Sequence, residues 1–262
     1  MSKNQQTGKT APTGREPIGE RTFRFRCDPE VDCFNRCCRN PDLELYPYDI
    51  VRLCGKLGLS SSDFLEQYTY NSIRSNPHFP SIMLKMTDNN TRTCPFLEEQ
   101  GCLVYKDRPD ACRMFPLERA VSLKPFNKES IEEIYYLQKL PYCKGHGRGG
   151  SEWTTTTWIS AQALSEYNRM GELWAEMSLL FRRNPWGPDG TESKNLRMAY
   201  MVCFDLDRFR KFITESSFLK RYQIDETWMK KILKSNASLL ELGFDWLKYF
   251  MFNVSSEKIR PL

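Results

Sequence analysis

The sequence predicts a mainly α protein with a small β-hairpin, in which a metal-stabilised cysteine-cluster module precedes a helical C-terminal region. Eight of the ten cysteines fall into tight clusters before residue 144. From Trp153 onward apolar residues recur at helical spacing. One stretch, CPFLEEQGCLVY, sets two apolar runs around a glycine turn, which is a hairpin signal with Gly101 free to take a positive φ.

Residues 1–21 are polar, without apolar periodicity, and read as a flexible tail. Residues 22–150 form the expected cysteine module, and 151–262 a helical extension packing on it. Within the module, PYDIVRLCGKLGL places Ile50, Val51, Leu53, Cys54 and Leu57 mainly on one helical face, with Gly58 as the stop. Ser60–Tyr68 reads as a second helix, with a serine cap and Asp63 in its first turn. Asn71–Asn90 reads as loop around Pro77 and Pro80, with SIMLKM as a strand candidate. DRPDACRMF reads as a short helix with Pro109 at its first position. WISAQALSEYNRMGELWAEMSLLF suggests one long amphipathic helix stopped before NPWGPDG. NLRMAYMVCFDLDRFRKFITES and TWMKKILKSNASLLELGFDWLKYFMF supply two or three more.

Composition narrows the function class. Hydrophobic content of 40% and charged content of 27% are ordinary for a globular chain. The net charge of +5 is mild and its cations are interspersed with acids, so nucleic acid is not the expected partner. No run approaches the roughly 20 apolar residues of a membrane span. The N-terminal sequence lacks the apolar core of a secretory signal, so a reducing cytoplasm is expected, where structural disulfides are uncommon. Metal ligation is then the better account of the thiols.

Cys27, Cys33, Cys37 and Cys38 lie in FRCDPEVDCFNRCCRN; Cys94, Cys102 and Cys112 in CPFLEEQGCLVYKDRPDACRMFP; Cys143 in LPYCKGHG. Clustered soft thiolates hold zinc or iron–sulfur centres at little chain-entropy cost. Cys33 and Cys37 stand about one helical turn apart if that segment is helical or a tight turn, and Cys38 then points about 100° away. That requires either a second metal or irregular backbone. Arg26, Arg36, Arg39, Arg108, Arg113 and Lys144 stand beside the thiols and either offset thiolate charge or merely solvate a surface. Cys54 and Cys203 each sit alone on the apolar face of an expected helix and read as core. Of the two histidines, His78 reads as structural or exposed, and His146, three residues after Cys143, as an exposed turn or a further ligand. Asp205 and Asp207 read as helix caps, and Trp228, Phe244, Trp246, Tyr249 and Phe250 as core or a partner surface. Nucleotide-loop, nucleophile-elbow and H-E-x-x-H signatures are absent.

The pattern C-x5-C-x3-C-C, then LYPYDIVRLCGKLGLSSSDFLEQYT, then CPFLEEQGCLVYKDRPDACRMFPLE, resembles the YkgJ-type cysteine cluster family of zinc- or iron-chelating domains. The likeness covers roughly Phe23 to Trp158 and is most specific from Cys94 to Pro116. It implies a metal site with Cys27, Cys33, Cys37, Cys38, Cys94, Cys102, Cys112 and Cys143 as ligands, and an iron–sulfur cluster or zinc as cofactor. The expected function is metal binding with a redox or accessory role. Two rivals stand beside it: a cluster-dependent enzyme, such as a protein-modifying or methyl-transfer enzyme, and a zinc-stabilised adaptor docking a protein partner through its C-terminal helices.

Overall fold

The structure, a computed structural model, describes residues 15–124, 127–147 and 149–262. Strands β1 (Arg15–Pro17) and β2 (Phe23–Phe25) come first, followed by a 3-10 turn over Arg36–Cys38 and strand β3 (Glu44–Leu45). Helix α1 (Pro47–Leu57) opens where the Asp49 carboxylate accepts the Tyr46 N–H at 2.9 Å, and closes at Gly58, whose φ of 67° lies in the left-handed region. The Ser60 hydroxyl accepts the Asp63 N–H at 3.1 Å and starts α2 (Ser61–Tyr68). Both helices match the sequence expectation. Strands β4 (Thr69–Ser72) and β5 (Ser81–Leu84) join β3 in an antiparallel sheet of order β3-β5-β4.

The expected hairpin is β6 (Leu97–Glu98) with β7 (Gly101–Cys102), turned by Gly101 at φ 129°. Helix α3 (Asp110–Met114) follows, with Pro109 as its cap. A longer hairpin, β8 (Leu117–Lys124) with β9 (Asn127–Gln138), then adds β1 at its edge in the order β1-β9-β8. Strand β10 (Ser151–Trp153) pairs with β2. The remainder is helical: α4 (Thr155–Ala161), α5 (Ser165–Phe181), α6 (Lys194–Phe204), α7 (Leu206–Glu215), α8 (Phe218–Arg221), α9 (Glu226–Ile232) and α10 (Asn236–Phe252). Strands β11 (Tyr222–Ile224) and β12 (Ile259–Pro261) pair beside them.

Three expectations change. The fold is mixed α/β, with 44% helix, 19% strand and five small sheets, not mainly α with one small hairpin. The cause lies in pairing. Most of these strands run two to four residues, too short for alternation to mark them, and the β8–β9 hairpin leaves Ile131 and Ile134 exposed while burying Leu117 and Leu137. Second, the long helix expected after Trp153 is two, α4 and α5, because Ala163 takes φ 50° between them. Third, the expected tail at 1–21 falls mostly on residues 1–14, outside the described residues. Its last part is ordered by pairing of Arg15–Pro17 with β9 and burial of Ile18.

One hydrophobic cluster runs from Leu53, Phe64 and Phe96 through Phe79 and Phe181 to Phe209, Leu239 and Trp246. Burial of each such aromatic contributes about 2–3 kcal/mol. Hydroxyls of Ser61 and Ser62 donate to Asp205 at 2.8 and 2.9 Å, and the Ser61 N–H to Asp207 at 2.6 Å, tying α2 to the start of α7. Asp205 also caps α7, as its position in the sequence suggests. Phe244 and Trp246 are core, whereas Phe250 stays 40% exposed. No helix among the described residues is long and apolar enough to cross a membrane.

Candidate metal centre

Four backbone devices bring distant cysteines together. Successive turns run through the first cluster: the Phe34 N–H donates to Val31 at 2.7 Å, Arg36 to Cys33 at 2.9 Å and Cys38 to Asn35 at 3.1 Å. Asn35, at φ 61°, breaks any α-helical path. Cys33 and Cys37 therefore lie on a run of tight turns and not on an α-helix, and the irregular-backbone alternative applies. Next, residues 38–40 lie against 92–94 in strand-like pairing, with the Cys94 N–H donating to the Cys38 carbonyl at 2.8 Å and Asn40 to Arg92 at 2.9 Å. The β6–β7 hairpin carrying Cys102 packs on the same turn: the Phe34 ring lies 3.7 Å from where a Gly101 Cβ would stand.

The last device is the Cys143 loop. The Arg26 N–H donates to Gly145 at 3.0 Å and the Lys144 N–H to the Cys33 sulfur at 3.1 Å. A Cβ at Gly145 would come within 2.5 Å of the Arg26 carbonyl, and one at Gly150 within 2.9 Å of the Phe25 backbone, so only glycine permits this approach. Cys112 enters from α3, which is fixed from below: buried Asp49 accepts the Asp110 N–H at 2.8 Å while capping α1.

All ten cysteines are free thiols. Eight feel one another. Burial, then the thiols of Cys37, Cys33 and Cys143, push Cys27 up to about 11. Burial, then Cys102 and Cys37, push Cys94 up to about 11. Cys112 is raised by burial, then by Cys94 and Cys37. The vicinal pair shares a hydrogen bond that brings Cys37 down to about 7 and raises Cys38, which also feels Cys94 and Cys112. Burial raises Cys143 and Cys102 as well. Several sulfurs already accept backbone amides: Cys33 from Lys144, Cys94 from Phe96, Cys102 from Val104 and Cys143 from Gly145. Such bonds favour the thiolate and are the outer support of a thiolate–metal site.

As the side chains stand, no group of three or more His, Cys, Asp or Glu among the described residues is placed to hold an ion. The sulfurs are neighbours but do not form a closed coordination shell. Their chemistry nonetheless fits zinc or iron: soft donors with backbone amides already donated to the sulfurs.

The remaining sequence candidates sort clearly. Cys54 is buried, with its sulfur 3.9 Å from the Ser60 carbonyl, and Cys203 is 1% exposed in the core. His146 packs on Phe25 with ring centroids 5.2 Å apart, its Nε2 buried without a partner among the described residues. His78 supplies its carbonyl to the Trp186 indole at 2.6 Å. Among the basic residues, Arg108 has Cys112 and Cys102 as charged neighbours, but Arg26 is taken by Asp28 at 2.6 Å and by Glu30. The sequence reading missed Asp49. It sits at the third position of a proline-started helix, and burial, then Asp110, push its carboxyl up to about 7.

Residues 26–144 match the model of the CxxCxxCC family, described as "Putative zinc- or iron-chelating domain". No curated protein and no solved structure matches the chain. The matched span contains all eight clustered cysteines, Cys27 to Cys143, and over it the chain is similar to this cysteine-cluster family.

Proposed function

We propose that the chain is a metal-binding protein in which the clustered thiolates hold iron, as an iron–sulfur cluster, or zinc. The observation that supports this is the meeting of thiols from separate segments around Cys37, with amides already donated to their sulfurs. By their neighbours Cys27, Cys33 and Cys143 lie on one side and Cys38, Cys94, Cys102 and Cys112 on the other, with Cys37 beside both. Four thiolates complete either a [4Fe–4S] cluster or a tetrahedral zinc site. The vicinal pair Cys37–Cys38 joins the two sets.

Iron is the first reading, because cysteine zinc sites favour paired C-x2-C arms and this chain contains no such pair. Zinc is the second, because four of these thiolates also complete a tetrahedral zinc site. Strictly anaerobic purification, followed by metal analysis, sulfide assay and a visible spectrum, separates them. Brown protein with acid-labile sulfide is expected. Colourless protein with stoichiometric zinc would establish the second reading, and protein that takes up neither metal would overturn both.

A further inference from the structure

A cavity of about 480 Å³ lies between the β3-β5-β4 sheet, α3, β8 and α5, and no cysteine lines it. Cavities of this size hold small organic ligands. Three features of its wall point to one kind.

The first is an acceptor without a donor. Asp110 lines the cavity, and its Oδ1 is buried with no hydrogen-bond partner among the described residues. Leaving such an atom unpaired is unfavourable, so a donor placed in the cavity would complete it.

The second is the company Asp110 keeps. Glu44 and Tyr46 also line the cavity, and Tyr46 has both Glu44 and Asp110 among its charged neighbours. Phe79, Tyr167 and Trp174 add aromatic surface. Carboxylates beside aromatic faces suit organic cations. Two cations share the wall, and one of them, Arg119, also acts on Asp110 together with Arg113. Arg119 is held by Glu133 at 2.7 Å and by Glu172, and Arg182, at the other end of α5, donates to the Ser75 carbonyl at 2.9 Å.

The third is Gly171, inside α5 on the cavity wall. Glycine weakens a helix interior. Nothing in the backbone calls for it here: its φ is not positive, and a Cβ would meet no heavy atom within 4 Å. Its effect is to leave the cavity open.

We propose that this cavity binds a small organic cation, an amine or guanidinium on an apolar stem, held by Asp110 and Glu44. The cationic head donates to Asp110 Oδ1, and the stem lies along Phe79 and Trp174. The cation is held without a metal, although Asp110 opens the short helix that carries Cys112.

The test is calorimetric titration of the full chain with agmatine, with pentan-1-ol as the neutral probe and pentanoate as the anionic one. Saturable one-to-one binding of agmatine is expected, at least about tenfold tighter than either control. Asp110→Asn and Glu44→Gln each weaken it about tenfold. Gly171→Leu fills the cavity and abolishes binding, with thermal unfolding preserved because leucine is the better helix former. Metal content, measured on every variant, stays at the wild-type level in Gly171→Leu. No saturable agmatine binding below about 10 mM, equal binding of all three probes, or undiminished binding to a folded Gly171→Leu would overturn the proposal.

Discussion

At the scale of single residues, ten cysteines of one chemistry divide by surroundings. Cys54 and Cys203 are buried in the hydrophobic core, away from the other thiols. Cys94 lies among other thiols and accepts the Phe96 amide. Sequence spacing alone made this division, because isolated cysteines on apolar helical faces differ visibly from clustered ones. It did not reveal the geometry inside the first cluster, where Asn35 takes a positive φ and residues 38–40 pair with 92–94, far away in the chain. Cys54→Ala and Cys203→Ala should therefore keep full metal content and lose about 1 kcal/mol in urea unfolding. Cys94→Ser should lose metal and destabilise by several kcal/mol, since metal binding is coupled to folding. Metal loss from Cys54→Ala would move that residue into the centre.

At the scale of elements, the helices were legible where capping chemistry is local, as at Ser60, Gly58 and Asp205. The strands were not, because their identity rests on partners distant in sequence. β2 is three residues long and is a strand only through β10, more than a hundred residues later. The break between α4 and α5 was equally hidden. Ala163 carries no sequence mark of a turn, yet its φ of 50° is a region that alanine adopts at a cost. The break lets Leu164 bury completely while Gln162 faces Arg108 and Arg113. Ala163→Gly should relieve that backbone and stabilise the protein by about 0.5–1 kcal/mol. The same change within α5, at an ordinary helical φ such as Ala175, should destabilise by a similar amount. Paired thermal melts check the opposite signs.

At the scale of the whole molecule, two different cements hold the chain. The helical part has a broad apolar core and a charge network around α10. Lys248 pairs with Glu176 at 3.1 Å and Asp245 at 3.2 Å, and Lys258 with Glu241 at 2.6 Å and Asp245 at 2.9 Å. Burial pushes the Glu241 and Asp245 carboxyls up, but the lysines and Arg169 outweigh it and hold both below their ordinary 4.5 and 3.8. A carboxyl lowered by folding stabilises above its unfolded value and loses that contribution as pH falls through the folded one. The contribution of these two carboxyls to unfolding free energy should thus be full near neutrality and fall below about pH 4.5. Against it runs the opposite slope of Asp49, whose raised carboxyl loses stability as pH rises toward about 7. Lys258→Met should flatten that acid slope and lower stability at neutral pH by about 1–3 kcal/mol, since Glu241 keeps only Arg169 and Asp245 only Lys248.

The cysteine module is cemented differently. Cys27 to Asn40, 92–94 and the Cys143 loop contribute few buried apolar side chains, and backbone contacts around the sulfurs join them. Metal would supply what their core lacks, on the order of 10 kcal/mol in structural thiolate sites. Removing metal should therefore unfold part of the molecule rather than all of it. Hydrogen exchange on chelator-treated, reduced protein should show lost protection across 26–40, 92–115 and 139–150. Protection should persist in α5, α6 and α10, whose Phe181, Val202 and Leu240 are fully buried. Reconstitution with iron and sulfide, or with zinc, should restore protection in all three module segments together, because each contributes sulfur to the same neighbourhood. Uniform loss along the whole chain would mean that the helical core depends on the centre. Unchanged exchange in the module would mean that the thiols bind metal without holding the fold.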